Sequence, residues 1–376
     1  MAVQVKVVRG RKDKKIFVDL EWRLNKDCPN WISPLRMERK KILNTKKNPF
    51  FQHAEIELFI AYRGGEPVGR IAAITNENHN NFQNDKAGFW GFFDCIDDQE
   101  TADALFGAAA AWLTDKGKDQ MLGPMNPSTN DEVGILIDGF ETAPYMMMTQ
   151  THPYYRRLVE GFGHKKARDL YAWIIPVKEA QANVTEKMRR VSGKIMKKYN
   201  ISLRNMEIKN LKQEIRIIKE IYNDAWSRNW GFVPFTDAEI DNLAKDLKPV
   251  ADQDLLFFGY KDKKPIAFSL TLPNVNEVLQ RIPNGRLFPL GIFKLLFGLK
   301  KTKSVRVLVL GVKKDFQFIG LGSIFYLKSI ENALAKGYTI GEMSWILEDN
   351  HTMNRAIEAF GSKKYKTYRI YQYALK

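Results

Sequence analysis

The sequence is poor in cysteine. Its 376 residues include only Cys28 and Cys95, and neither lies near a second cysteine or in a Cys/His cluster at metal-ligand spacing. This scarcity excludes a disulfide framework, gives no support for a zinc site and favours a reducing compartment. Residues 1–15 alternate valines with charges and lack the apolar core of a secretory signal. We therefore expect a cytoplasmic protein that holds no metal.

Long apolar runs and acidic residues are also scarce. The longest apolar run, residues 287–299, contains a proline and a lysine and is shorter than the about 20 residues that a membrane-spanning helix needs. Asp and Glu number 43 against 59 Lys and Arg, which gives a net charge of +16. This excess suits an anionic partner, although solvated helix faces also account for it. No nucleic-acid-binding motif accompanies the charge, so we expect no specific nucleic-acid partner.

The remaining composition is that of an ordinary globular protein. Hydrophobic residues make up 44% and charged residues 27%, which excludes intrinsic disorder and collagen-like repeats. The length is typical of two domains, because single domains commonly hold roughly 100–200 residues.

An internal repeat organises the chain. Residues 58–71 and 256–269 align without a gap at a constant offset of 198 residues, as from Leu58 to Leu256, with Leu, Phe, Tyr and Pro recurring in register. Each segment is a β-rich run, a polar turn and a second β-rich run, which predicts an antiparallel hairpin.

The order of elements after each hairpin is repeated as well. In the first repeat a strand over 88–93 is followed by a helix over 101–116 that ends at Gly117. In the second repeat a strand over 305–310 is followed by a helix over 321–336 that ends at Gly337. The pattern predicts two α/β domains with related folds, residues 1–178 and 200–376. An amphipathic connecting helix is expected over residues 179–199.

One stretch carries the residues that phosphate binding requires. Gln317, Gly320, Gly322 and Ser323 follow a strand with a buried pattern and open a helix. Glycines at such a junction let the backbone approach a phosphate, and the helix N-terminus offers free N–H groups and a favourable dipole. The spacing matches neither the dinucleotide fingerprint nor a Walker A loop. By itself it fits either a phosphate loop or a plain tight turn.

In its context this stretch resembles the signature Gln/Arg-x-x-Gly-x-Gly/Ala of the GCN5-related N-acetyltransferase (GNAT) superfamily. The strand before it, the helix and strand after it, and Asn350 with Asn354 on a closing helix follow the same order. Over almost its whole length the chain is also similar to an uncharacterised bacterial group of double-GNAT-domain acetyltransferase-like proteins. The stretches that carry this wider similarity are residues 49–54, 123–131, 223–234 and 345–350.

The resemblance implies a fold of α/β (α+β) class with two tandem GNAT-like acyl-CoA N-acyltransferase domains, each a mixed, mostly antiparallel sheet flanked by helices. It also implies acetyl-CoA, or another acyl-CoA, as co-substrate. The implied pyrophosphate loop is Gln317, Gly320, Gly322 and Ser323, and the implied pantetheine strand is Leu310, Gly311 and Val312. Asn350 and Asn354 complete the implied set, and a backbone amide of the strand would polarise the thioester carbonyl.

The chain departs from the family pattern at two places. The first repeat has residues 95–100 where the loop should be, without glycine and with the carboxylates of Asp97, Asp98 and Glu100, so we do not expect it to bind coenzyme A. In the second repeat, Phe360 stands where superfamily members usually have the tyrosine that protonates the leaving thiolate.

Four side chains are candidates for proton transfer. Tyr365 and Tyr368 lie just beyond Phe360 and would supply an acid, or they pack a core as strand residues. Glu342 and Glu348 share one face of a strand predicted over 340–348 and would supply a general base, or they form ion pairs or face solvent. Catalysis by orientation alone is a further alternative.

Two polar clusters are candidates for substrate binding. Asn223, Trp226, Asn229 and Trp230 close a helix where acetyltransferases of this fold have an acceptor-lining loop, and they would otherwise be core aromatics and their neighbours. Asn126 and Asn130 belong to a polar loop of the first domain, where Asx turns and helix caps are the alternative.

An insertion in the second domain, residues 284–303, mixes Leu, Phe and Ile with Arg and Lys. It would make peripheral contact with a membrane, cover a long acyl chain, or pack on the protein as a lid.

We therefore expect an acyl-CoA-dependent N-acyltransferase that transfers an acyl group, with acetyl as the expected group, directly to the amine of a small molecule or peptide. Two alternatives stay open, an aminoacyl-tRNA-dependent transferase of the doubled GNAT type and a non-catalytic protein that binds coenzyme A or another ligand. The sequence indicates neither the acceptor nor the oligomeric state.

Overall fold

The computed structural model describes residues 1–376, which fall into two units. The first unit comprises Met1–Leu170, Leu279–Lys294 and Lys366–Lys376, and the second comprises Tyr171–Val278 and Leu295–Tyr365. The predicted domain boundaries at residues 178 and 200 both lie inside the second unit.

The elements up to residue 176 are β1 Val3–Val7, α1 Gly10–Asn25, α2 Arg36–Ile42, β2 Ala54–Arg63, β3 Glu66–Asn76, α3 Glu77–Gln83, β4 Ala87–Cys95, α4 Gln99–Asp115, β5 Gln120–Gly123, β6 Met125–Asn126, β7 Glu132–Val133, β8 Ile135–Asp138, α5 Tyr155–Phe162 and β9 Lys165–Pro176.

The remaining elements are α6 Val177–Ala182, α7 Glu186–Lys198, β10 Ile201–Asn205, α8 Leu211–Trp226, α9 Asp237–Leu247, β11 Leu256–Lys261, β12 Lys264–Pro273, α10 Asn276–Leu279, α11 Gly291–Leu299, β13 Ser304–Val312, α12 Leu321–Ala335, β14 Ile340–Leu347, α13 His351–Ala359 and β15 Lys363–Ala374.

The two predicted hairpins are confirmed. β2 pairs with β3, and β11 with β12, in the same register, and both ladders shift register at the equivalent point, Ala61/Tyr62 and Gly259/Tyr260. Both central turn residues have positive φ in each hairpin, as the two-residue turn that matches strand twist requires. These residues are Gly64, Gly65, Asp262 and Lys263.

Each unit contains strands in the same order. In the first unit the order is β1-β2-β3-β4-β5, followed by the C-terminal part of β15, and in the second it is β10-β11-β12-β13-β14. All of these pairs are antiparallel except β4/β5 and β13/β14, which are parallel. Helices α1 and α4 pack on the first sheet, and α8 and α12 pack on the second. The predicted class of mixed, mostly antiparallel sheets flanked by helices is therefore confirmed.

Aromatic side chains form much of both cores. In the first unit the Trp90 and Phe106 rings lie 5.0 Å apart at a steep angle, and Phe93 stacks on Phe106. In the second unit Phe257 of β11 stacks on Phe325 of α12 at 5.0 Å. Burial of these large rings fixes α4 and α12 on their sheets.

The predicted connecting segment forms two helices, α6 and α7. Thr185 separates them and caps α7, because its hydroxyl accepts a hydrogen bond of 3.2 Å from the Met188 N–H. None of the helices combines the length and the apolarity that crossing a bilayer requires. No group of three or more His, Cys, Asp or Glu side chains is arranged to hold a metal ion.

Candidate functional site

The parallel strands β13 and β14 open into a gap. Their pairing ends at Val307 opposite Met343, although β13 runs on to Val312 and β14 to Leu347. At the same point β13 has a bulge, because Leu308 is an extra residue relative to the partner strand β12. Beyond Val307, the backbone groups of β13 that point toward β14 therefore have no strand partner, and a ligand that enters the gap can form hydrogen bonds with them. The last three residues of β13, expected to contact pantetheine, border this gap.

The segment after β13 ends at an uncapped helix N-terminus. A 3-10 helix over Lys314–Ile319 leads to Gly320, whose φ is +86°, and α12 begins at Leu321 without a side-chain cap. No side chain of the protein satisfies the N–H groups of this first turn, and such groups bind phosphate. A Cβ at Gly322 would meet nothing within 4 Å, so the turn is open to approach. These features fit the pyrophosphate of coenzyme A.

The other loop residues hold this shape. The Gln317 side chain donates from Nε2 to the Val312 carbonyl at 3.1 Å, which ties the loop to the end of β13. Gly320 disfavours any other residue, because its left-handed backbone would be strained and a Cβ there would lie 2.8 Å from Cδ1 of Ile195, which would have to shift. Ser323 is exposed in the first turn of α12.

The equivalent helix of the first unit has its N-terminus closed. Asp98 caps α4 and accepts a hydrogen bond of 2.7 Å from the Thr101 N–H. Arg63 contacts both Asp98 and Glu100, at 2.7 and 2.8 Å. Burial acts to raise the pKa of Asp98, but the bonds from Thr101 and the charge of Arg63 lower it overall. A carboxylate therefore already occupies the position where a phosphate would bind α4.

Side chains of the protein also accept hydrogen bonds from backbone amides of β4 in the first unit. The Phe92 N–H donates to Oδ1 of Asn126 at 2.6 Å, and the Cys95 N–H donates to the Tyr155 hydroxyl at 3.1 Å. These amides are therefore satisfied without a ligand. The bond from Phe92 gives Asn126 a structural role. The substrate-binding role of Asn126 and Asn130 stays a prediction.

In the second unit, the end of α8 packs against β13. The Trp226 ring covers Gly311 so closely that any side chain at 311 would overlap it, and it also stacks on Tyr222 at 4.8 Å. Asn223 Oδ1 is buried without a hydrogen-bond partner, so it is able to accept a hydrogen bond from a ligand. The Asn229 N–H donates to the Trp226 carbonyl at 2.7 Å in the turn that leads to Trp230.

Two of the four proton-transfer candidates lie together. The Tyr365 hydroxyl is 3.5 Å from Oε1 of Glu342, and Arg306 Nε is 3.3 Å from Oε2 of the same carboxylate. Glu342 and Arg306 face each other across the paired part of β13 and β14 and are almost wholly buried. The sequence does not reveal Arg306 as a partner, because only the strand register brings the two side chains together.

The other two candidates are elsewhere. Glu348 follows Leu347, the last residue of β14, so strand alternation no longer sets its direction. Tyr368 belongs to the first unit, where it is buried and pairs with Leu136 of β8. Phe360 is buried with its ring 5.5 Å from that of Tyr326.

Asn350 and Asn354 hold α13 in place after β14. Asn350 caps α13 by accepting from the Met353 N–H at 3.2 Å. Asn354 donates to the Leu347 carbonyl at 3.0 Å and accepts from Nε1 of Trp173 at 3.0 Å. These bonds hold α13 at the end of β14, and direct contact of either asparagine with coenzyme A stays a prediction.

Comparison with models of known protein families gives no match. The chain is 40% identical over 378 residues to the bacterial ceramide synthase of Caulobacter vibrioides, across 98% of this chain and 96% of that protein. It is 36% identical over 375 residues to protein YghO of Escherichia coli, across 98% of this chain and 94% of that protein.

Solved structures show the same fold. A tandem GNAT protein from the clavulanic acid biosynthesis pathway superposes with a TM-score of 0.60 at 10% identity, over 100% of this chain and 99% of that chain. A GCN5-related N-acetyltransferase from Sphaerobacter thermophilus superposes with a TM-score of 0.54 at 11% identity, over 100% of this chain and 96% of that chain. At these identities the likeness shows the tandem GNAT fold alone.

Proposed function

Because the chain belongs to the family of its two full-length relatives, one of them a bacterial ceramide synthase, and has the tandem GNAT fold, we propose that it transfers an acyl group from acyl-coenzyme A to an amine. The observation that carries the proposal is the uncapped N-terminus of α12 next to the gap between β13 and β14. This pair of features offers phosphate-binding amides and unpaired strand amides side by side.

The backbone of β13 performs the main electrostatic work in this proposal. An N–H of the stretch Leu310–Val312 donates to the thioester oxygen and stabilises the negative charge that develops when the amine nitrogen attacks the carbonyl carbon. The new C–N bond forms, the C–S bond breaks, and the amine proton ends on the leaving sulfur. Binding energy at the α12 N-terminus holds the donor in line for the attack.

Tyr365 and Glu342 move the proton. The amine gives its proton to the Tyr365 oxygen as Tyr365 passes its own to Glu342. Tyr365 then gives a proton to the sulfur as Glu342 returns its proton to Tyr365, so both side chains regain their starting states. Arg306 Nε lies 3.3 Å from Oε2 of Glu342 and places a positive charge beside this carboxylate. This pathway would replace the tyrosine that Phe360 cannot provide.

The name of the relative from Caulobacter vibrioides supports a proposal for the acceptor and the acyl group. A ceramide is an amide between a fatty acid and a long-chain amino alcohol, so a ceramide synthase joins two long apolar substrates. We extend this to the present chain: the donor is a fatty acyl-CoA and the acceptor is the amine of a long-chain amino alcohol. Acetyl-CoA with a short amine is the competing pair.

The test is thiol release measured for each combination of acetyl-CoA or palmitoyl-CoA with sphinganine or a short amino alcohol, with the amide product identified by mass spectrometry. We expect product only from palmitoyl-CoA and sphinganine. Gly322→Leu fills the open space at the α12 N-terminus and is expected to weaken acyl-CoA binding at least about tenfold, as loss of a charge-assisted contact does.

The matched control is Gly107→Leu. Gly107 lies on α4, and a Cβ there also meets nothing within 4 Å, so both variants add the same side chain to open space on equivalent helices. Equal activity of the two variants would remove the loop from the proposal. Turnover of acetyl-CoA with the short amine would replace the fatty acyl assignment, and no thiol release with any pair would favour a binding protein or a tRNA-dependent enzyme.

A further inference from the structure

The helix α11 is apolar on both of its faces. One face packs on the protein, since a Cβ at Gly298 would lie 2.6 Å from Val278 and one at Gly291 would lie 3.4 Å from Ile282. The opposite face is exposed and carries Phe293, Leu296 and Phe297. A helix of this kind on the surface of a protein marks a contact with another apolar phase.

The exposure is large and continuous along the chain. Five apolar side chains in this stretch have between 56% and 70% of their surface accessible: Phe288, Leu290, Phe293, Leu296 and Phe297. The last three lie on one side of a single helix, because Leu296 and Phe297 follow Phe293 by three and four residues. We name this set the α11 face.

The chain segment that contains the α11 face carries charge of one sign, and the nearby Glu277 carboxylate accepts hydrogen bonds from the N–H groups of Lys303 and Ser304. Residues 279–303 contain six exposed cations and no Asp or Glu: Arg281, Arg286, Lys294, Lys300, Lys301 and Lys303. Lys294 Nζ donates to the Arg281 carbonyl at 2.9 Å, a bond that leaves its charge uncompensated by any acid. Cations beside a protruding apolar surface complement lipid phosphates at a membrane interface, where the apolar side chains enter the acyl region.

We propose that the α11 face docks the protein on a bilayer rich in anionic lipids. Phe293, Leu296 and Phe297 insert below the headgroups, and the surrounding lysines and arginines contact the phosphates. No helix spans the membrane, so the attachment is peripheral and reversible. The proposal goes beyond acyl transfer and does not depend on it.

The test is co-sedimentation of the full chain with vesicles of phosphatidylcholine alone and of equal parts phosphatidylcholine and phosphatidylglycerol. We expect binding to the mixed vesicles, little binding to the neutral ones, and a decrease with added salt because ions screen the contact. The double variant Phe293→Ser with Phe297→Ser is expected to lower partitioning at least about tenfold, since two large apolar side chains lose their burial.

A second variant tests the charge separately. Lys300→Glu with Lys301→Glu is expected to lower binding to the mixed vesicles at least about tenfold. The controls are Met37→Ser, an exposed apolar residue of α2, and Lys12→Glu with Lys14→Glu on α1, which changes the net charge equally. Both controls are expected to bind vesicles as the unaltered chain does.

Three results would overturn the proposal. The first is no sedimentation of the unaltered chain with the mixed vesicles, and the second is equal loss of binding in the controls. The third is that the serine variant still binds vesicles but changes another property. Loss of a dimer would mean that the α11 face covers a second copy of the chain, and a changed acyl-length preference would mean that it covers a substrate chain.

Discussion

At the scale of single residues, a substitution of Tyr365 tests catalysis with less effect on stability than a substitution of Glu342. Neutralising Glu342 would remove the carboxylate partner of the buried Arg306 charge, and breaking a buried pair costs about 3–5 kcal/mol of unfolding free energy. A loss of activity would then report a damaged fold. Removing the Tyr365 hydroxyl deletes its 3.5 Å contact with Glu342 and leaves the ion pair between Glu342 and Arg306 in place.

We predict that Tyr365→Phe lowers kcat by about a hundredfold or more and leaves acyl-CoA affinity unchanged, because a proton-transfer group acts in the transition state. The measurement is steady-state kinetics together with calorimetric acyl-CoA binding. Tyr199→Phe, which removes a hydroxyl at the end of α7, is the matched control. An unchanged kcat in Tyr365→Phe would assign catalysis to backbone polarisation and orientation alone.

At the scale of elements, the helices α4 and α12 are equivalent in the repeat but differ at their first turns. Asp98 caps α4, whereas no side chain caps α12. We predict that Asp98→Ala lowers the free energy of unfolding by about 1 kcal/mol, the usual loss for an N-cap, measured by urea denaturation at neutral pH.

This loss depends on pH with a definite sign. Because the pKa of Asp98 is lower in the folded chain, its charge stabilises the fold above the ordinary pKa of aspartate, about 3.9, and this contribution disappears as pH falls through the folded value. The difference between Asp98→Ala and the unaltered chain should therefore shrink in acid. A constant difference from neutral pH to acid would show that the charge contributes nothing. Acyl-CoA binding should be the same in both proteins.

The elements were more predictable from the sequence than the site was. Hairpins follow from local period and turn chemistry, so the offset between Leu58 and Leu256 predicts two identical strand pairings. The loop at Gly320 follows from glycine spacing. The pairing of Arg306 with Glu342 does not, because it depends on which strands become neighbours. The hydrogen bond that occupies Asn126 is also long-range, and a polar loop in the sequence looks the same whether its amides bind a ligand or the backbone.

At the scale of the whole molecule, the duplication raises the question of how many donors one chain binds. Both units have a parallel strand pair followed by a helix, so symmetry alone would give two sites. The first unit, however, uses Asp98 at the helix and Asn126 and Tyr155 along the strand. The amides of Phe92, Cys95 and Thr101 are therefore already bonded, and carboxylates stand at the start of α4.

We therefore predict that one chain binds one acyl-CoA, measured as the stoichiometry of calorimetric titration with palmitoyl-CoA below its micelle-forming concentration. The net charge of +16 will also attract the anion nonspecifically, so the titration must be repeated at moderate salt, which screens long-range attraction to exposed charges more than short hydrogen bonds to helix and strand amides. A stoichiometry of one that survives salt and is lost in Gly322→Leu identifies the second unit as the donor site.

Two salt-resistant sites, with one surviving in Gly322→Leu, would mean that the first unit exchanges its internal bonds for a donor. The cap and strand bonds of that unit would then act as a gate, and Asp98→Ala would raise the affinity of the extra site.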